Sequence, residues 1–130
     1  MPNIPIGARL EQKEVVTHDS AISFLGLEGA RVLSTPRMIG FMERASRDAV
    51  LPFLDPGQDT VGTHVNVYHL AAAPMGAEVT FQAEITGADE KRVQFRVEAW
   101  SDGKKIGEGT HERAIIDVTR FAGKHAKKEG

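Results

Sequence analysis

The chain has 130 residues, a formal net charge of −2 and no cysteine. This length suits one domain, 1–130, that buries roughly two thirds of its unfolded surface. The balanced charge lacks the basic stripe that nucleic acid demands. The missing cysteines remove disulfides, thiol nucleophiles and Cys-type zinc sites together. No apolar run is long enough to cross a bilayer. Met1-Pro2-Asn3-Ile4-Pro5-Ile6-Gly7 lacks the basic start and apolar run of a signal peptide, so a cytoplasmic setting is expected.

Residues 1–7 read as an irregular arm. Ala8 to Thr17, with Leu10, Val15 and Val16, predicts a strand of weak alternation. Ala21 to Leu25 is expected to form one helical turn, and Gly26-Leu27-Glu28-Gly29 a loop. The long helical pattern follows, with a helix expected from about Pro36 to Phe53. Met38, Ile39, Met42, Ala45, Ala49, Val50 and Phe53 recur at spacings of three and four. Ser34 or Thr35 can cap this helix by satisfying an orphan N–H, and Pro36 suits the first helical position, which needs none. Arg37, Arg44 and Asp48 fall on the opposite side. Glu43 sits at the border of the apolar stripe, roughly 80–90° from its centre at about 100° per residue. It is either a solvated rim residue or a desolvated functional group.

Leu54-Asp55-Pro56-Gly57-Gln58-Asp59 ends the helix in a proline–glycine turn. Thr60 to Leu70 is rich in β-branched residues and reads as a strand with Val61, Thr63, Val65, Val67 and His69 on one face. Two clean alternations come next: Val79, Phe81, Ala83 and Ile85, then Val93, Phe95, Val97 and Ala99. Each predicts a strand with one face on a core and one on water. Asp102-Gly103 is a primed-turn hairpin signal. A last strand is expected over about 104–118, with Gly107 and Gly109 marking a bulge or a close backbone approach. Arg120 to Gly130 reads as a frayed, solvated tail.

The predicted order is strand, long helix, then four antiparallel strands. This is an α+β arrangement in which the sheet must receive the helix on one face. A sheet curled round the helix is the hotdog fold. Exposed helix and sheet edges then favour pairing of two copies as a homodimer.

The chain has no Gly-x-Ser-x-Gly elbow and no phosphate-binding glycine loop. His64 and His69 are five apart in a strand and point to opposite faces, so no metal site is expected from them. His69 ends the apolar-face series and faces the helix, as a satisfied core histidine or as a catalyst. His64 and His111 read as structural.

Several stretches together carry a resemblance. They are Ser34-Thr35-Pro36, Glu43 eight residues after Thr35, Gly62-Thr63, His69-Leu70-Ala71-Ala72-Ala73-Pro74-Met75-Gly76 and Gly109-Thr110-His111-Glu112-Arg113. From about Arg31 to Val118 the chain resembles the hotdog-fold thioesterases of the fluoroacetyl-CoA thioesterase type. The resemblance implies a Thr–Glu–His set made of Thr35, Glu43 and His69. It implies a glycine whose backbone approaches the substrate at Gly62 and an arginine near the site at Arg113. The substrate would be an acyl-CoA, coenzyme A being part of the substrate and no separate cofactor being required. The fluoroacetyl-specific enzyme carries a longer, phenylalanine-bearing lid before the helix. Here Ala21 to Leu33 is shorter, with Phe24 its one aromatic, which implies general rather than fluoroacetyl-specific hydrolysis. A non-catalytic acyl-CoA or acyl-carrier binding module and a hotdog dehydratase are the alternative readings.

Thioester hydrolysis needs a base or nucleophile, a group to handle the thiolate's proton, and donors for the oxyanion. Glu43, His69 and Thr35 with a backbone N–H near Gly62 can supply these. Eight residues of straight helix rise about 12 Å, so Thr35 and Glu43 cannot touch within one helix. Either the helix begins after Thr35 and the chain folds back, or groups of two subunits meet.

Overall fold

The computed structural model describes residues 3–126. The expectations for Met1, Pro2 and residues 127–130 lie outside the described residues. Five strands form one antiparallel sheet: β1 (Arg9–Val15), β2 (Gln58–His69), β3 (Glu78–Ala88), β4 (Arg92–Ser101) and β5 (Lys104–Asp117), in the order β1-β3-β4-β5-β2. Helix α1 (Thr35–Val50) lies against one face and runs on into a 3₁₀ turn, Leu51–Phe53.

The alternation of β3 and β4 is realised without exception on the core side. Val79, Phe81, Ala83, Ile85, Val93, Phe95, Val97 and Ala99 are all buried, and Met38, Met42, Ala45, Ala49 and Val50 of α1 meet them. The helix can lie this close because β5 carries glycine beneath it. A Cβ at Gly107 would sit 2.6 Å from Met38 Sδ. This glycine therefore marks a close approach of helix and strand. Asp102 and Gly103 both take positive φ, 52° and 71°, as a primed hairpin turn requires.

Three local expectations are corrected. Residues 21–25 make no helical turn. Ala21 bridges Leu33, Val32 bridges Pro74, and the short 3₁₀ turn lies instead at Glu28–Ala30. The frayed tail begins as a helix, α2 (Val118–Ala126), whose start is tied by Asp117 Oδ1 accepting from the Arg120 N–H at 2.9 Å. None of its residues is buried. Finally, β2 does not keep one face throughout. A register shift between Gly62 and His64 leaves Thr63 as an extra residue. Thr60 and Gly62 take the helix-facing side before the bulge, and Val65, Val67 and His69 after it. Thr63, expected on that side, is exposed.

Candidate active site

Ser34, not Thr35, caps α1: its hydroxyl accepts from the Arg37 N–H at 3.2 Å. Thr35 is the first helical residue and Pro36 the second. This releases the Thr35 hydroxyl, which lies 2.8 Å from His69 Nδ1 at the end of β2. The other ring nitrogen, Nε2, is buried and has no hydrogen-bond partner among the described residues. Desolvation pulls the His69 pKa down, and the backbone at Ala71 offsets only part of this. The ring is therefore neutral near pH 7. A depression of about 360 Å³ opens beside the pair, walled by Ile22, Phe24, Val32, Leu33, Leu70 and Ala71 among others. A larger one, about 590 Å³, lies between Pro74, Glu78, Asp102 and Lys104 and holds none of the expected site residues.

Glu43 lies elsewhere. Because α1 is continuous from Thr35, its carboxylate is two turns, about 12 Å, further along the axis. It stands over Gly62, where a Cβ would come within 2.5 Å of its Oε2. Gly62 is thus needed for the room it leaves the carboxylate. Oε2 is 3.5 Å from Arg113 Nη1 and 4.0 Å from His111 Nε2.

Arg113 is no surface arginine. Its side chain is 8% exposed, against 39% for Glu43. Its Nε donates to Thr60 Oγ1 at 2.7 Å and its Nη2 to the Thr60 carbonyl at 2.9 Å. Burial lowers its pKa, and the nearby Glu43 and Asp59 carboxylates act against that. Asp59 is itself engaged by Arg47, at 2.7 Å to Nη2, and this bond holds its carboxyl below the usual range.

The five expected residues thus fall into two clusters: Thr35 with His69, and Glu43 with Gly62 and Arg113. Two partners in the second cluster, His111 and Thr60, were not anticipated. Strand periodicity holds the signal for the first. His111 and Arg113 are two apart in β5, so an arginine assigned to the site carries the histidine to the same face. Thr60 is hidden by the bulge, which reverses the expected facing of the first half of β2. Among the described residues no group of three or more His, Asp or Glu side chains is placed to hold a metal ion. No helix there is long and apolar enough to cross a membrane.

The model of the fluoroacetyl-CoA-specific thioesterase family matches residues 15–119. The chain is 41% identical over 101 residues to a fluoroacetyl-CoA thioesterase of Streptantibioticus cattleyicolor, covering 78% of this chain and 73% of that one. It is similar in structure to a variant of the fluoroacetyl-CoA thioesterase FlK in complex with acetyl-CoA. The TM-score is 0.88 at 34% identity, over 98% of this chain and all (100%) of that one. A thioesterase superfamily member from Thermus thermophilus gives 0.89 at 32% identity, over 99% and 96% of the two chains. A helix seated on a five-stranded antiparallel sheet accords with these matches, and the chain belongs to the fluoroacetyl-CoA-specific thioesterase family, as a thioester hydrolase of the hotdog fold.

Proposed function

We propose that this single-domain protein hydrolyses a short- or medium-chain acyl-CoA to the free acid and CoA, in a site that two copies of the chain share. The observation that carries the shared site is the continuity of α1. Thr35 and His69 stand at its start and Glu43 about 12 Å away, too far to act on one carbonyl within a protomer. The Glu43 cluster of one copy facing the Thr35–His69 pair of another supplies all three groups. The outer edge of β2 supports this pairing. It is a 12-residue edge strand with no neighbour beyond it among the described residues and with Val65 and Tyr68 exposed. Such an edge is a template for a second chain, and antiparallel β2–β2 contact closes it in a two-fold dimer.

In the reaction, water adds its oxygen to the acyl carbon and Glu43 takes the water's proton. The C–S bond breaks, and the proton passes by way of His69 to the departing thiolate. The products are a carboxylic acid and CoA–SH, with both side chains restored. The bond to Thr35 fixes the His69 ring and leaves Nε2 as the atom that exchanges the proton. The scheme calls on no cofactor beyond the CoA of the substrate, and the setting is the cytoplasm.

The test is a panel of acyl-CoAs assayed with a thiol-detecting reagent. Short and medium acyl groups should be cleaved without preference for fluoroacetyl-CoA, because the segment before α1 is short and carries one aromatic, Phe24. Strong selectivity for the fluorinated acyl group defeats the lid argument. No turnover of any member, with thermal stabilisation by a ligand, favours the binding module instead.

A further inference from the structure

We propose that His111 is a positioning residue for the Glu43 carboxylate, acting through Arg113 as a neutral hydrogen-bond acceptor. The inference rests on the reading of Glu43 as the essential carboxylate and extends it to a residue that never meets substrate. His111 is 3% exposed and stacks on Phe95 with ring centroids 6.0 Å apart. Its Nδ1 lies 2.7 Å from the His64 carbonyl. A carbonyl only accepts, so the ring proton is on Nδ1. Nε2 is then a lone pair, and Arg113 Nη1, which can only donate, lies 3.2 Å from it. The two neighbours together admit one tautomer of the neutral ring.

The consequence reaches Glu43. Thr60 holds two nitrogens of the Arg113 guanidinium, and His111 holds the third on the side facing α1. That third nitrogen, Nη1, is the only hydrogen-bond donor Glu43 has among the described residues. Glu43 comes from the helix, is more than a third exposed and is otherwise free to change rotamer. Its aim therefore depends on where Nη1 points. A charged His111 could not accept from Arg113 and would add a second cation beside it. Burial favours the neutral ring by pulling the His111 pKa down.

The test uses three substitutions, two of them amides that mimic the two ring nitrogens. His111→Gln places an acceptor near the Nε2 position and should keep kcat within about threefold. His111→Asn keeps the bond to the His64 carbonyl but supplies no acceptor at Nε2. It should lower kcat about tenfold or more at unchanged KM, the scale of a small misplacement in an active site. His111→Phe, with ring shape but no acceptor, should behave as Asn does. Should it not fold, the Gln–Asn contrast decides alone. Placed on Glu43→Gln, the Asn change should cost nothing further, because the group it aims is already gone. Equal losses in Gln and Asn that follow their melting temperatures, or full activity in Asn, overturn the role of His111. A Glu43→Gln enzyme with near-wild-type turnover overturns the assignment of Glu43 itself, a different result read on a different variant.

Discussion

The two polar clusters differ in how firmly the fold holds them. The Thr35–His69 pair has one hydrogen bond between its members, a neutral imidazole and an open depression beside it. The Glu43 cluster is tied by neighbours from two strands, β2 and β5. Thr60, His111 and Arg113 are each buried and hydrogen-bonded, and Gly62 leaves space for the carboxylate. For the proposed proton shuttle, one side-chain bond at Nδ1 orients the ring and leaves Nε2 open to exchange. A carboxylate on a helix surface has many rotamers and must be aimed by its surroundings. The charge of Arg113 is costly to bury, and that cost is offset only because each of its nitrogens is paired.

The largest effects should come from cutting either cluster at its centre. Glu43→Gln and His69→Ala should each lower kcat about 10²–10⁴-fold, the usual span of general acid–base catalysis, and Thr35→Ala less. Folding is checked in parallel, since His69 is half-buried. The comparison sharpens when the two losses are placed in separate chains. Co-expressed with different tags and purified as a mixed dimer, Glu43→Gln with His69→Ala should recover about half of wild-type activity per dimer, since one of its two shared sites is intact. A mixed dimer as inactive as its parents places the site within a single protomer.

Gly62→Ala probes the second cluster alone. The new methyl meets the mobile end of Glu43 first, 2.5 Å away, and the side chain can swing aside. The melting temperature should therefore barely move while kcat falls about 10–100-fold through the displaced carboxylate. Loss of stability with activity per folded molecule intact would show that the glycine serves packing.

The smallest effect should be on stability against pH. His69 and His111 both have folded-state pKa values below the ordinary one, through desolvation. Above about 6.5 both folded and unfolded chains hold these rings neutral. As pH falls below that, the unfolded chain takes up protons that the folded one resists, so stability drops. Asp59, Asp89, Glu98 and Glu112, whose pKa values are lowered in the fold, add their losses only below about 4. Melting curves between pH 7.5 and 5.5 should show a falling midpoint, flatter in His111→Gln. An unchanged slope in that variant removes His111 from the account.

Much of this was legible in the chain, for reasons visible in particular residues. The alternation of β3 and β4 was clean because both strands lie inside the sheet with one face on α1. The helix was legible because its stripe recurs over four turns and Ser34 and Pro36 mark its start. The segment at Ala21 departs from the helical turn its apolar residues suggest because Ala21 is bridged to Leu33, a partner no local pattern announces. The start of the tail helix had a local signal, Asp117 capping Arg120, that its charge obscured.

Sequence by itself determined the long helix, the five strands and the hydrophobic faces of α1, β3 and β4, because propensity, capping and periodicity act over a few residues. Tertiary structure decided which polar groups meet. One extra residue at Thr63 reversed the facing of half of β2 and set Thr60 and Gly62 beneath α1. The unbroken rise of the helix separated Thr35 from Glu43. Pairing of β5 with β2 and β4 buried His111 and Arg113 under the carboxylate they hold. Such meetings depend on register between strands some fifty residues apart, and a period of two read along one strand holds no record of where its neighbour begins.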